Sequence, residues 1–361
     1  VYEDELKAIK KSNRYRQRVV FDESLVDLAS NDYLGLATKK SLLKRAFAQL
    51  QMYNSHAPKS SQMVNGYHKI HRDFEEFLCR QNGFESAIVA GSGFLANLSL
   101  IEALPRKKDI LILDEEYHAS GILASKLVEC EVVYFRHNDA DELESILKNS
   151  SYKRAIIATE GIYSMSGDIL NREIFDVVNS YENTILIVDE AHSSGVLGDK
   201  LNGIFDFYDI KPKQNHIKMG TLGKAYGSYG AYILASNEII EFLQNRAKAL
   251  IYATAPSLFD ISLAHQSMLY ILKNKESLKA KIEARKNLVY EFFKKEMKGL
   301  ILPVYYDSSS EVLDTAEDLK SKGFLVGAIR PPTVDKPMLR IITKIDVPMD
   351  TLKKLFLEIK S

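Results

Sequence analysis

The chain is short of the features that mark several large classes of protein. It holds only two cysteines, Cys79 and Cys130, with no CxxC pair and no Cys/His cluster around them. That argues against a disulfide framework and against a zinc site, and it fits the reducing cytoplasm expected for this protein. Its 48 basic and 48 acidic residues cancel to a formal net charge of zero, so no bulk field draws it to nucleic acid or to an acidic membrane. No apolar run approaches the length needed to cross a bilayer, and the N-terminus is basic and polar rather than signal-like. Internal repeats and low-complexity segments are also missing.

What is present describes a globular protein with room for more than one domain: 361 residues, 46% hydrophobic and 27% charged. The one local charge asymmetry is Lys7, Lys10, Lys11, Arg14, Arg16 and Arg18. It reads first as a solvated helix face, with one or two of these residues reaching an anionic substrate as the alternative. Helical spacing of Tyr67, Ile70, Phe74, Phe77 and Leu78, closed by Gly83, predicts a helix. Strand-like runs follow at 87–90, 110–113, 132–135, 155–158, 185–188 and 229–235, with helical stretches at 143–147 and 174–178. Alternation of this kind predicts a mostly parallel α/β sheet with helices on both faces.

From Ser257 the pattern changes. Two long helical stretches (through Leu272, then Ser277 to Met297) lead to strands at 300–306, 324–329 and 338–343, a helix at 312–320, and a last amphipathic helix. The expected organisation is an N-terminal segment 1–44, a large domain 45–256 and a smaller α+β domain 257–361.

Lys224 is the most informative residue. It sits in Met219-Gly220-Thr221-Leu222-Gly223-Lys224-Ala225-Tyr226-Gly227, downstream of a strand-like run that ends in Asp189-Glu190-Ala191-His192. One lysine on a small-residue turn, with an aspartate at a strand end, points to pyridoxal phosphate (PLP) chemistry. The amine condenses with the cofactor aldehyde, and the carboxylate keeps the pyridine nitrogen protonated. A lone lysine on a glycine turn is ordinarily a surface residue; Thr221, Asp189 and His192 reverse that balance. A nucleotide P-loop fails because Gly220 is too close and Ala225 stands where a magnesium-binding Ser or Thr is needed.

Asp189 has a second reading as a helix N-cap, and His192 as a loop histidine. His118 follows another strand end and has the shape to stack on a pyridine ring. The segment Gly91-Ser92-Gly93-Phe94-Leu95-Ala96 opens a helix after a strand, where backbone amides and the helix dipole favour a phosphate. It is also a formal dinucleotide fingerprint, with Asp114 ending the next strand, so a nicotinamide (NAD) dehydrogenase is the rival reading. That rival leaves Asp189, His192 and Lys224 unexplained. His68 and His71, beside Glu75, resemble metal ligands but read better as a solvated helix face, and no metal is expected.

Taken in order, these segments resemble the α-oxoamine synthase family of fold-type I PLP enzymes. The likeness runs from Asn31-Asp32-Tyr33-Leu34-Gly35-Leu36-Ala37, through Gly161-Ile162-Tyr163-Ser164-Met165-Ser166-Gly167-Asp168 and the Asp189 and Lys224 motifs, to Ala328-Ile329-Arg330-Pro331-Pro332-Thr333-Val334. The resemblance implies Lys224 as the cofactor lysine, Asp189 as the pyridinium partner, and His192 and Ser164 beside the ring hydroxyl. It implies Gly93, Phe94 and Thr221 around the cofactor and His118 stacked on the ring, with a further role toward the acyl carbonyl. Substrate contacts would come from Asn31, Thr333, Arg340 and an N-terminal arginine, for which Arg16 fits best and Arg14 is the alternative. The implied reaction joins L-alanine to a pimeloyl thioester, carried on CoA or an acyl carrier protein. Glycine with acetyl-CoA is the alternative, and the implied assembly is a homodimer. A catalytically dead partner subunit is the non-enzyme reading, opposed by the retention of Lys224. Two departures stand out: the family's glycine-rich stretch appears here as the glycine-poor segment 57–66, and Ser166 replaces an acidic residue.

Overall fold

The computed structural model describes residues 1–12 and 14–360, and in it the alternating pattern of the middle of the chain becomes one seven-stranded sheet. Strands are numbered along the chain from β1 (Val26–Asp27). The central sheet comprises β2 (Ser86–Ala90), β3 (Ile110–Asp114), β4 (Glu131–Phe135), β5 (Ala155–Glu160), β6 (Thr184–Asp189), β7 (His216–Thr221) and β8 (Ala231–Ala235). Their order is β2-β8-β7-β6-β5-β3-β4, with β4, β3, β5, β6 and β7 parallel and the β8 and β2 pairings antiparallel. Every residue of β3 and β5 is buried, which is why these strands read as continuous apolar runs rather than as alternation.

β7 has no counterpart among the predicted strands. His216, Lys218 and Gly220 interrupt its apolar pattern, and Lys218 is nevertheless buried because Glu190 and the Asn82 side chain receive its ammonium. The two helices expected after Ser257 are one helix, Leu258–Phe293, of 36 residues. The polar run Lys273 to Glu276 breaks the apolar spacing but contains no glycine or proline to break the backbone. The helix stops at Lys294, whose φ of +54° is left-handed and whose amide closes on the Tyr290 carbonyl at 3.0 Å.

The first predicted helix appears as Lys69–Asn82 with Gly83 as its left-handed cap. The expectation that His68 and His71 lie on a solvated face is corrected. His71 is fully buried, its Nε2 on the Pro256 carbonyl (2.9 Å) and its Nδ1 accepting from the His68 amide (3.1 Å), while His68 Nδ1 caps the Ile70 amide (3.2 Å). Helix starts leave amides without partners, and here imidazoles satisfy them. The Glu75 carboxyl is buried one turn on; burial pushes it up to about 7 although the Tyr67 hydroxyl and the Val89 amide donate to it.

The chain divides into two compact units. One is Asn31–Leu300 with Lys344–Asp346; the other is Val1–Ser30, Ile301–Thr343 and the residues from Val347 onward. This partition differs from the expected boundaries. The long helix belongs to the large unit, and its buried Arg285 donates to the Ile345 carbonyl (3.0 Å), which holds 344–346 there as well. The smaller unit holds an antiparallel sheet of β9 (Ile301–Tyr305), β12 (Met338–Ile342) and β11 (Gly327–Ile329), and a parallel pair of β1 with β10 (Phe324–Leu325). Its last helix, Met349–Lys360, buries Leu352, Leu355 and Phe356, whereas the N-terminal helix Glu3–Lys11 buries nothing.

Candidate active site

Parallel strands bring their last residues to one edge, and open α/β sheets bind ligands there. At that edge Glu160 ends β5, Asp189 ends β6 and Thr221 ends β7, with Glu160 and Asp189 side by side in register. Lys224 follows on the turn between β7 and β8, which is pinned by Leu222 N to Gly230 O (2.8 Å) and Gly227 N to Lys224 O (3.0 Å). Gly227 has φ +58°, and a Cβ there would lie 2.5 Å from the Ala37 amide nitrogen, so only glycine closes the turn.

The Lys224 amine lies 2.7 Å from His192 Nε2. His192 is buried, and its Nδ1 meets the hydroxyl of buried Tyr33, which also reaches Asn31 Oδ1 at 3.4 Å. Asp189 is buried too, and no helix follows it directly, so the N-cap reading does not hold. Its Oδ1 accepts from the Ala191 amide (2.9 Å) and its Oδ2 from Asn97 Nδ2 (2.8 Å). His118 caps the Ala119–Ala124 helix; burial lowers its pKa, Asp189 opposes that and Lys224 adds to it. Ser164 lies one turn from Glu160, its amide donating to Glu160 Oε2 at 3.1 Å. Burial and the neighbouring Asp189 raise the Glu160 carboxyl, and its Oε1 is buried without a hydrogen-bond partner.

The Gly93–Ala103 helix starts beside Thr221: a Cβ on Gly93 would meet Thr221 Cβ at 3.6 Å. Ser92 caps the Leu95 amide through its hydroxyl (3.2 Å) and the Ala96 amide through its carbonyl (3.0 Å). Helix geometry leaves the Gly93 and Phe94 amides without intrahelical acceptors, a ready anion cradle. Lysine amine, strand-end carboxylate, imidazole, amide cradle and an orphaned carboxyl oxygen together fit a phosphorylated pyridine aldehyde.

The same topology removes the dinucleotide rival. The fingerprint needs its glycine turn and its acidic residue on adjacent parallel strands. Here β2 is an edge strand antiparallel to β8, and four strands separate it from β3. Asp114 is moreover occupied, accepting from the Tyr163 hydroxyl (2.7 Å), the Asn138 and Glu116 amides (both 2.9 Å) and His137 Nδ1 (3.2 Å). Burial pulls His137 down, but the hydrogen bonds to Asp114 and Asp168 and the charge of Glu116 outweigh it and hold the imidazole at about 10.

That shift carries a pH dependence. The folded value lies above the ordinary one near 6.5, so the stabilisation is complete below about pH 6.5 and disappears as pH rises toward 10. His137→Gln should therefore destabilise the large unit by about 1–2 kcal/mol at pH 6, after allowance for partial solvent exposure, and by almost nothing at pH 10. Urea unfolding of both proteins across that range checks it; a pH-independent difference rejects the ion-pair account.

Arg16, Thr333 and Arg340 belong to the smaller unit, where the Arg16 guanidinium donates to the Thr333 hydroxyl at 3.4 Å and Arg340 is buried on β12. Phe94 is exposed beside the amide cradle, and Ser166 faces Glu116 at 3.5 Å. The glycine-poor segment is held by an isolated backbone β-bridge between Ser61 and Thr254 and by two side chains: the Ser61 hydroxyl donates to the Ile251 carbonyl (2.6 Å), and Gln62 Nε2 reaches the Val89 carbonyl (2.8 Å). Tyr33, Asn97, Tyr117, Ser120 and Glu160 were not predicted. Asn97 follows the glycine turn by four residues on the inner side of its helix, the one spacing that pointed to it.

The family model "Aminotransferase class I and II" matches residues 23–356. The 8-amino-7-oxononanoate synthase of Helicobacter pylori (strain ATCC 700392 / 26695) is 43% identical over 356 residues, 98% of this chain and 95% of that protein. Among solved structures, a serine palmitoyltransferase from S. paucimobilis with PLP and myriocin bound superposes with a TM-score of 0.88 at 21% identity, covering 99% of this chain and 95% of that one. The 8-amino-7-oxononanoate synthase from Francisella tularensis does so with a TM-score of 0.79 at 25% identity, covering 94% and 98%. With the lysine, the aspartate and the amide cradle at one sheet edge, the chain belongs to the aminotransferase class I and II family, fold-type I enzymes whose cofactor is pyridoxal phosphate.

Proposed function

We propose that this chain is a PLP-dependent acyltransferase that condenses L-alanine with a pimeloyl thioester to 8-amino-7-oxononanoate in biotin biosynthesis. The observation that carries the reading is the match along almost the whole chain, at 43% identity, to a protein of that name. The reaction takes a proton from the alanine Cα, forms a carbon–carbon bond to the thioester carbonyl, and releases thiol and carbon dioxide.

Bound PLP supplies a carbonyl for the Lys224 amine and a ring that accepts electrons from the substrate Cα. Lys224, once released, is the general base at that carbon. A proton on its amine has His192 Nε2 as an acceptor at 2.7 Å, with Tyr33 beyond. Asp189 presents its carboxylate to the ring nitrogen, and burial beside it disfavours the charged form of Glu160. The Gly93 and Phe94 amides and the Thr221 hydroxyl hold the phosphate, Ser164 and His192 the ring hydroxyl, and His118 the ring face. Asn31, Thr333 and Arg340 contact substrate, with Arg340 on the amino-acid carboxylate and Arg16 on the far carboxylate of the acyl chain. We infer also a homodimer, in which the 252–256 segment approaches the partner's cofactor.

A substrate panel tests the proposal: alanine, glycine and serine against acetyl, succinyl, pimeloyl and palmitoyl thioesters of CoA and of acyl carrier protein, scored by carbon dioxide release. Alanine with a pimeloyl thioester is expected to be the most efficient pair. A salt-bridged distal carboxylate discriminates pimeloyl from a neutral chain of equal length by about 1–3 kcal/mol, roughly five- to a hundredfold. Highest efficiency with glycine and acetyl-CoA would transfer the enzyme to the 2-amino-3-ketobutyrate ligase activity.

A further inference from the structure

Behind the proposed cofactor face runs a buried chain of hydrogen bonds that links Asp189 to His118 through two residues with no role assigned above. The Tyr117 hydroxyl donates to Asn97 Oδ1 at 2.8 Å. The Asp189 carboxylate, which only accepts, fixes which end of the amide is which, so the oxygen faces the Tyr117 hydroxyl. Asn97 Nδ2 then has two hydrogens and two acceptors, Asp189 Oδ2 at 2.8 Å and Ser120 Oγ at 3.0 Å. Ser120 Oγ lies 2.7 Å from His118 Nδ1, and it is the donor there because a backbone amide points at the same nitrogen. The Ser120 amide, which can only donate, points to the same nitrogen at 3.2 Å. Asn97, Tyr117 and Ser120 are all buried, so no water competes for these bonds.

We propose that Asn97 and Ser120 are positioning residues that orient the Asp189 carboxylate and hold His118 as the tautomer with its ring proton on Nε2. Two donors occupy the Nδ1 lone pair, so a neutral His118 carries its hydrogen on the other nitrogen. His118 thereby offers a hydrogen-bond donor rather than a base, the property needed to polarise a carbonyl oxygen. The charged groups facing His118 are Asp189 from β6 and Lys224 from the turn after β7. The inference rests on the cofactor reading above for what Asp189 and His118 face; the hydrogen-bond chain itself does not depend on it.

The test reads the imidazole directly. Ring nitrogen NMR of protein carrying labelled histidine, with His118 assigned through His118→Gln, should show Nε2 protonated and Nδ1 bare, before and after PLP is added. Ser120→Ala removes one of the two donors to Nδ1 and should raise the His118 titration midpoint. Asn97→Leu should raise the midpoint too, and weaken PLP binding by about tenfold, because Asp189 loses a charge-assisted partner. Should Asn97→Leu fail to fold, Tyr117→Phe removes only the hydroxyl that pins the amide and should move the midpoint in the same direction. A proton on Nδ1 in the unaltered protein overturns the proposal, as does an unmoved midpoint in both Ser120→Ala and Tyr117→Phe. Failure of the unaltered protein to take up PLP overturns the cofactor reading instead, and the tautomer is then decided by the cofactor-free spectra.

Discussion

Lys224→Ala is expected to lower turnover by about 10^4-fold, the upper end of what loss of one acid–base group removes, because the same residue is also the covalent attachment point. Cofactor affinity should fall far less, since the amide cradle at Gly93 and Phe94 and the Thr221 hydroxyl remain. Absorbance titration with PLP separates the two effects. Borohydride reduction of the unaltered enzyme should leave the cofactor on the Lys224 peptide and on no other. Normal turnover in the variant, or a label on a different lysine, removes Lys224 from the mechanism. His192 makes a useful companion: it lies 2.7 Å from the amine, so His192→Gln should alter the pH dependence of turnover while leaving the covalent link in place.

The largest effect on stability is expected at Lys218→Met. Lys218 and Glu190 are exposed by only 1% and 0%. Burial pulls the Lys218 ammonium down and Glu190 pulls it back up, across 3.5 Å. Glu190 also accepts from the Ile204 amide at 2.6 Å, and Gly203, at φ +98°, leaves room for the carboxylate where a Cβ would stand 1.8 Å from its Oε2. Removing the lysine alone strands a buried carboxylate, which costs about 3–5 kcal/mol. The double variant Lys218→Met with Glu190→Gln should lose less than the sum of the single losses, because no uncompensated charge is left. Urea unfolding of the three variants measures this; strict additivity would show that the two groups do not act as a pair. Glu190 adjoins Asp189, so the pair also anchors the strand end that carries the candidate pyridinium partner.

The sequence by itself determined what local chemistry decides. Strands of four or more apolar residues stood out because both faces of the parallel sheet are covered, and β3, β5 and β6 lie where the runs predict. Gly83 announced a left-handed helix cap, and the small-residue turn announced a lysine presented just past a strand end, since both are matters of backbone conformation within a few residues. The order of motifs was enough to place the chain in its family and to name the cofactor. Tertiary structure alone decided how polar residues are used. His71, Glu75, Lys218 and Glu190 resemble surface residues in a one-dimensional pattern, yet each is buried against partners supplied by distant segments. β7 escaped notice for the same reason, because its polar members are neutralised from other elements. Asn97 and Asp189 are 92 residues apart in the chain, and no spacing rule connects them. They meet because the glycine-turn helix and the end of β6 converge on one sheet edge, and buried hydrogen-bonding groups must find partners wherever the fold brings them.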